Sequence, residues 1–100
     1  MKNVKEKLIK LSQENKKSPL EIALKLAEES GEVAEAILKA SNASGMSYKD
    51  DGSDKVNNVL EECVDTIMVA ASLFIKLEGT EAQFVSMLKS KCEKWERVTK

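Results

Sequence analysis

Two pairs of acids stand inside apolar helical stripes, and any fold of this chain has to accommodate them. The first is Glu29-Ser30-Gly31-Glu32 and the second is Glu62-Cys63-Val64-Asp65. Residues three apart on a helix project within about 60° of each other, so each pair presents two carboxylates from one face. Two such faces set opposite one another would converge four oxygen ligands. Partial burial of several carboxylates together is costly without a cation, through desolvation and like-charge repulsion. Hard oxygen ligands suit Mg²⁺, with Mn²⁺ as a substitute, and suit zinc poorly. The chain contains no histidine.

The rest of the chain reads as helix. It is rich in Leu, Ala, Glu and Lys, all strong helix formers, and strand signals are nearly absent. Residues 2–15 carry Val4, Leu8 and Leu11 as a thin apolar stripe, which predicts a first amphipathic helix. Ser18, Pro19 and Glu21 form a capping box with proline at the first helical position, so a second helix starts there and runs to about Ala40. Its seam is Ile22, Leu26, Glu29, Val33, Ala36 and Ala40, with Glu29 the one acid in the row. Residues 41–53 lack an apolar period and predict a loop. Ser53 or Asp54 caps a third helix ending at Glu78, with Gly79 as its stop. Asp65 lies on a face of that helix that continues as Val69 and Leu73. From Cys63 to Leu77 the third helix is apolar on nearly every side, which calls for a central position or another subunit. Thr80 caps a fourth helix with the stripe Phe84, Leu88, Cys92 and Trp95, while Lys91, Lys94 and Arg97 share another side. The expectation is one all-α domain over residues 1–100, a four-helix bundle-like protomer that assembles as a dimer.

Composition narrows the function classes. A chain that is 42% hydrophobic and 33% charged is a soluble globular one rather than a disordered one. The apolar stretch from Ile67 to Ile75 is about half of the roughly 20 residues a membrane helix needs. Charges run through residues 1–17 without an apolar core of the secretory type, which predicts a cytoplasmic protein. Cys63 and Cys92 have no paired spacing and read as reduced, buried thiols. Net charge is +4 over residues 1–17, −7 over 18–78 and +2 over 79–100. An acidic middle between basic ends fits a carboxylate-held metal meeting a phosphate compound, and fits direct nucleic-acid binding less well. Basic termini that simply solvate the chain ends account for the distribution equally well. A di-iron carboxylate bundle is excluded because it requires Glu-x-x-His on two helices. The residues Asp50, Asp51, Gly52 and Asp54 lack the spacing and the closing Glu of an EF-hand. Gly-rich phosphate loops and nucleophile elbows are absent.

Most glutamate pairs on helices are solvated faces with lysine partners. Glu28 and Glu35 fit that description, whereas Glu29 and Asp65 do not. At the segments Leu26-Ala-Glu-Glu-Ser-Gly-Glu-Val-Ala-Glu-Ala-Ile37 and Glu61-Glu62-Cys63-Val64-Asp65 the chain resembles the MazG-like nucleoside triphosphate pyrophosphohydrolases. That all-α family is defined by Glu-x-x-Glu followed by Glu-x-x-Asp on the next long helix. The resemblance covers roughly Leu20 to Arg97. It implies that Glu29, Glu32, Glu62 and Asp65 hold Mg²⁺, and that a nucleotide is cleaved between its α and β phosphates to a monophosphate and pyrophosphate. Glu28 is then a candidate for activating water beside Glu29. Lys39, Lys55, Lys91, Lys94 and Arg97 are candidate phosphate contacts, each also readable as a plain surface base. Tyr48, with Met46, and Trp95 are candidates for covering the base. A homodimer or a dimer of dimers is implied as well. The 29 residues between Glu32 and Glu62 are on the long side for the family, which leaves substrate choice open. Two other readings stand beside this one: phosphoribosyl-ATP pyrophosphohydrolase, and a non-catalytic helical dimer that regulates a partner.

Overall fold

The structure, a computed structural model, describes residues 2–41 and 55–99. They form four α-helices and no strand: α1 (Lys2–Glu14), α2 (Pro19–Ala40), α3 (Lys55–Lys76) and α4 (Glu81–Thr99). The all-α, four-helix expectation holds. Met46 and Tyr48, the acidic loop residues and the expected caps Ser53 and Asp54 lie outside the described residues.

Local chemistry sets the helix ends. Ser18 accepts a hydrogen bond from the Glu21 amide at 3.2 Å while Glu21 accepts one from the Ser18 amide at 2.9 Å, a closed capping box with Pro19 following the cap. Thr80 and Gln83 make the same reciprocal pair at the start of α4, at 3.1 and 2.8 Å. The end of α3 is a Schellman motif. The Gly79 amide donates to the Phe74 carbonyl and the Glu78 amide to the Ile75 carbonyl, both at 2.9 Å. The left-handed residue of this motif is Glu78, at φ 67°, and not the glycine that follows it. Gly79 is required for a different reason: a Cβ there would overlap the Phe74 ring.

α2 and α3 pack along one another, and α1 packs on α3. The α2 seam is as expected: Ile22, Glu29 and Ala40 are buried, and Leu26, Val33 and Ala36 are half-buried. On α1 the inward face is Leu8, Ile9 and Ser12, whereas Val4 and Leu11 of the expected stripe are exposed. Ser12 is buried because its hydroxyl donates to the Leu8 carbonyl at 2.7 Å, leaving a small, satisfied side chain at the contact. The α1–α2 link is held to α3 by the Lys76 ammonium, which donates to the Asn15 carbonyl at 2.6 Å. Cys63 is half-buried and Cys92 exposed, both as free thiols, which corrects the expectation that both are buried.

α4 stands apart. Its first residues meet the rest through the Phe74–Phe84 edge-to-face contact, with centroids 5.8 Å apart, and the Lys5–Glu81 ion pair at 3.0 Å. Beyond that start it packs on none of the other helices, and every described residue of α4 is exposed. The splay leaves an apolar cleft of about 980 Å³ between α1, the end of α3 and the start of α4, with Ile9, Ile67, Ala71 and Phe84 in its walls. No described helix is long and apolar enough to cross a membrane.

Candidate metal centre

The packing of α2 on α3 brings the two acidic pairs together. Carboxylate oxygens of Glu29, Glu62 and Asp65 all lie within 4.8 Å of one another, and so do those of Glu28, Glu29 and Glu32. Glu29 belongs to both groups because it is the residue that the α2 seam turns toward α3. Ligands at about 2.1 Å from an octahedral ion are separated by at most about 4.2 Å, so small side-chain rotations would suffice to close this arrangement on one cation.

Burial is uneven across the cluster. Glu29 is only 6% exposed, Glu32 and Glu62 are half-buried, and Asp65 and Glu28 are exposed. Oε2 of Glu29 and Oε2 of Glu62 are buried with no hydrogen-bond partner among the described residues. An orphaned buried polar group costs about 1–3 kcal/mol, and a charged one more. Unpartnered buried oxygens beside further acids could hold a cation. The donor set is all oxygen, matching a hard divalent ion.

Electrostatics point the same way. The Glu32 carboxyl is held above the ordinary glutamate range, first by the charge of Glu29, then by its hydrogen-bonding approach to Glu62, then by desolvation. The one cation facing the cluster from α2 is Lys25, whose Nζ lies 3.1 Å from Glu29 Oε1 and 3.4 Å from Glu28 Oε1. Its ammonium is held above the usual lysine range, mainly by Glu29 and then Glu28. Lys25 is not among the candidates drawn from the sequence, although its spacing of four before Glu29 makes it an i,i+4 partner.

The remaining candidates lie elsewhere. Glu35 pairs with Lys39 at 2.9 Å, both well exposed, an i,i+4 surface pair of the kind worth about 0.3–0.5 kcal/mol. Lys55 is exposed at the start of α3. Lys91, Lys94, Arg97 and Trp95 are exposed on the free part of α4, so the protomer alone does not bring them onto α2 or α3. Gly31, between the two acids of α2, has open space where a Cβ would stand, so packing within the protomer does not require a glycine there. Neither a known protein family nor a curated protein nor a solved structure matches this chain.

Proposed function

We propose that this chain is a Mg²⁺-dependent nucleotide pyrophosphohydrolase of the MazG-like kind, cleaving a ribo- or deoxynucleoside triphosphate between the α and β phosphates. One observation carries the reading: Glu29, buried in an apolar seam with an unpartnered oxygen, shares a 4.8 Å neighbourhood with Glu62 and Asp65. Lys25 meets only Oε1 of this carboxylate, so the buried Oε2 is left for another cation. Glu29, Glu32, Glu62 and Asp65 are the ligands in this proposal. A bound Mg²⁺ supplies charge neutralisation for phosphate oxygens and a more acidic water. Glu28, exposed and one residue from the buried ligand, would orient or deprotonate the attacking water.

We propose self-association as part of the same reading, as a homodimer or a dimer of dimers. A second copy entering the angle between α3 and α4 would cover Val64, Ile67, Leu88 and Trp95, which are 50–70% exposed in the protomer. It would also give Lys91, Lys94 and Arg97 a neighbouring site to serve.

Incubation of the purified chain with a panel of ribo- and deoxynucleoside triphosphates, and with phosphoribosyl-ATP, in Mg²⁺ tests the chemistry. The expected products are pyrophosphate and a monophosphate. Orthophosphate with a diphosphate left behind would reject the proposed bond, and Mg²⁺ binding with no turnover on any of them would favour a regulatory helical dimer.

A further inference from the structure

The Lys25 ammonium sits where a cation would be drawn. It is one helical turn before Glu29, 3.1 Å from Glu29 Oε1 and 3.4 Å from Glu28 Oε1. Glu29 Oε2, the other oxygen of the same carboxylate, is buried and unpartnered. The Lys25 side chain is 42% exposed, so the ammonium can reach both the carboxylates and solvent. From these positions we propose that Lys25 is a tethered competitor for the divalent cation: it balances Glu29 in the metal-free chain and lowers the site's affinity for a free ion. The inference rests on the metal-centre reading above.

The physical argument is a comparison of two states. Without a divalent ion, the ammonium offsets part of the mutual repulsion of Glu28, Glu29 and Glu32. With the ion in place, the same ammonium is a like charge within a few ångströms of it. Lys25 must then swing outward on its flexible stem or remain and repel, and either outcome weakens binding. A cation that arrives with a polyphosphate meets a smaller penalty, because the phosphate oxygens give the displaced ammonium a new partner. The site would therefore favour the metal–polyphosphate complex over the bare ion. Removing the lysine should erase that preference.

The test uses the full chain stripped of metal and titrated calorimetrically with Mn²⁺ alone, then with Mn²⁺ plus pyrophosphate. The chains compared are wild type, Lys25→Met, Lys25→Gln and a net-charge control, Lys7→Met, which removes an exposed lysine from α1. The expectation is that both Lys25 variants bind Mn²⁺ alone about tenfold or more tightly than wild type, that their gain from pyrophosphate shrinks, and that Lys7→Met behaves as wild type. Circular dichroism of each variant establishes that it is folded, and the two Lys25 replacements differ in polarity so that one packing defect cannot decide the result. Wild-type Mn²⁺ binding with unchanged or weaker binding in both Lys25 variants would overturn the role of Lys25 and leave the metal centre standing. No Mn²⁺ binding by wild type or variants would overturn both.

Discussion

A single carboxylate, Glu29, decides how the site is read. Its place in the seam was legible from the spacing of Ile22, Leu26, Val33 and Ala36, because helical period alone fixes which residues share a face. Its orphaned oxygen was not legible, because that depends on where α3 sets Glu62 and Asp65. Glu32 yields a pH prediction. Its carboxyl is held above the ordinary glutamate range chiefly by the charge of Glu29, so the folded, metal-free chain binds this proton more tightly than the unfolded chain does. Between the ordinary and the raised pKa the native state carries more protons, and stability falls as pH rises through that window. Glu32→Gln removes the dependence. The melting temperature of the variant minus that of wild type, followed in the absence of metal, is expected to grow with pH across the window. A difference independent of pH would mean that Glu32 does not feel its neighbours.

At the scale of elements, the capping boxes at Ser18 and Thr80 were written in the sequence, since the donors and acceptors involved lie within three residues of each other. The end of α3 was less transparent. A glycine near a helix end ordinarily marks the left-handed position, yet here that conformation falls on Glu78 and Gly79 answers to the Phe74 ring. Only tertiary packing of Phe74 reveals the distinction. A side chain in the left-handed region costs about 1 kcal/mol relative to glycine, partly offset by the entropy glycine loses on folding. Glu78→Gly is therefore expected to raise stability by up to about 1 kcal/mol, a rise of a few degrees in the melting temperature of a domain this size. Gly79→Ala is expected to lower it. Denaturant midpoints of the two variants check the pair, and a destabilised Glu78→Gly would place the strain elsewhere.

Across the described residues, large apolar side chains of α2, α3 and α4 remain exposed. Among the described apolar residues only Ile22 and Ala40 are buried, and every described residue of α4 is exposed. The all-round apolar character of Cys63–Leu77 had indicated a missing neighbour, but the sequence did not indicate that α4 would swing free, since its own amphipathic stripe fits a bundle within one chain equally well. Light scattering at micromolar concentration is expected to give at least a dimer. Ile67→Glu, which puts a charge on an exposed apolar position of α3, is expected to shift the population toward monomer. A stable wild-type monomer, folded and unaffected by Ile67→Glu, would contradict the assembly.

Whether the acids of α2 and α3 act as one divalent-cation site is decided by thermal melts of wild type and Glu29→Gln, each in EDTA and in excess Mg²⁺. Two carboxylates about 5 Å apart at an effective dielectric of about 20 repel by roughly 3 kcal/mol before screening. The Lys25 pair lost in the variant is partly exposed, so solvent screening leaves it the smaller of the two effects. Without metal, Glu29→Gln is thus predicted to melt above wild type. With Mg²⁺, wild type gains the stabilisation that a ligand binding only the native state confers, and the variant loses most of it. Equal Mg²⁺ responses in the two proteins would contradict the assignment of Glu29 as a ligand, and with it the site.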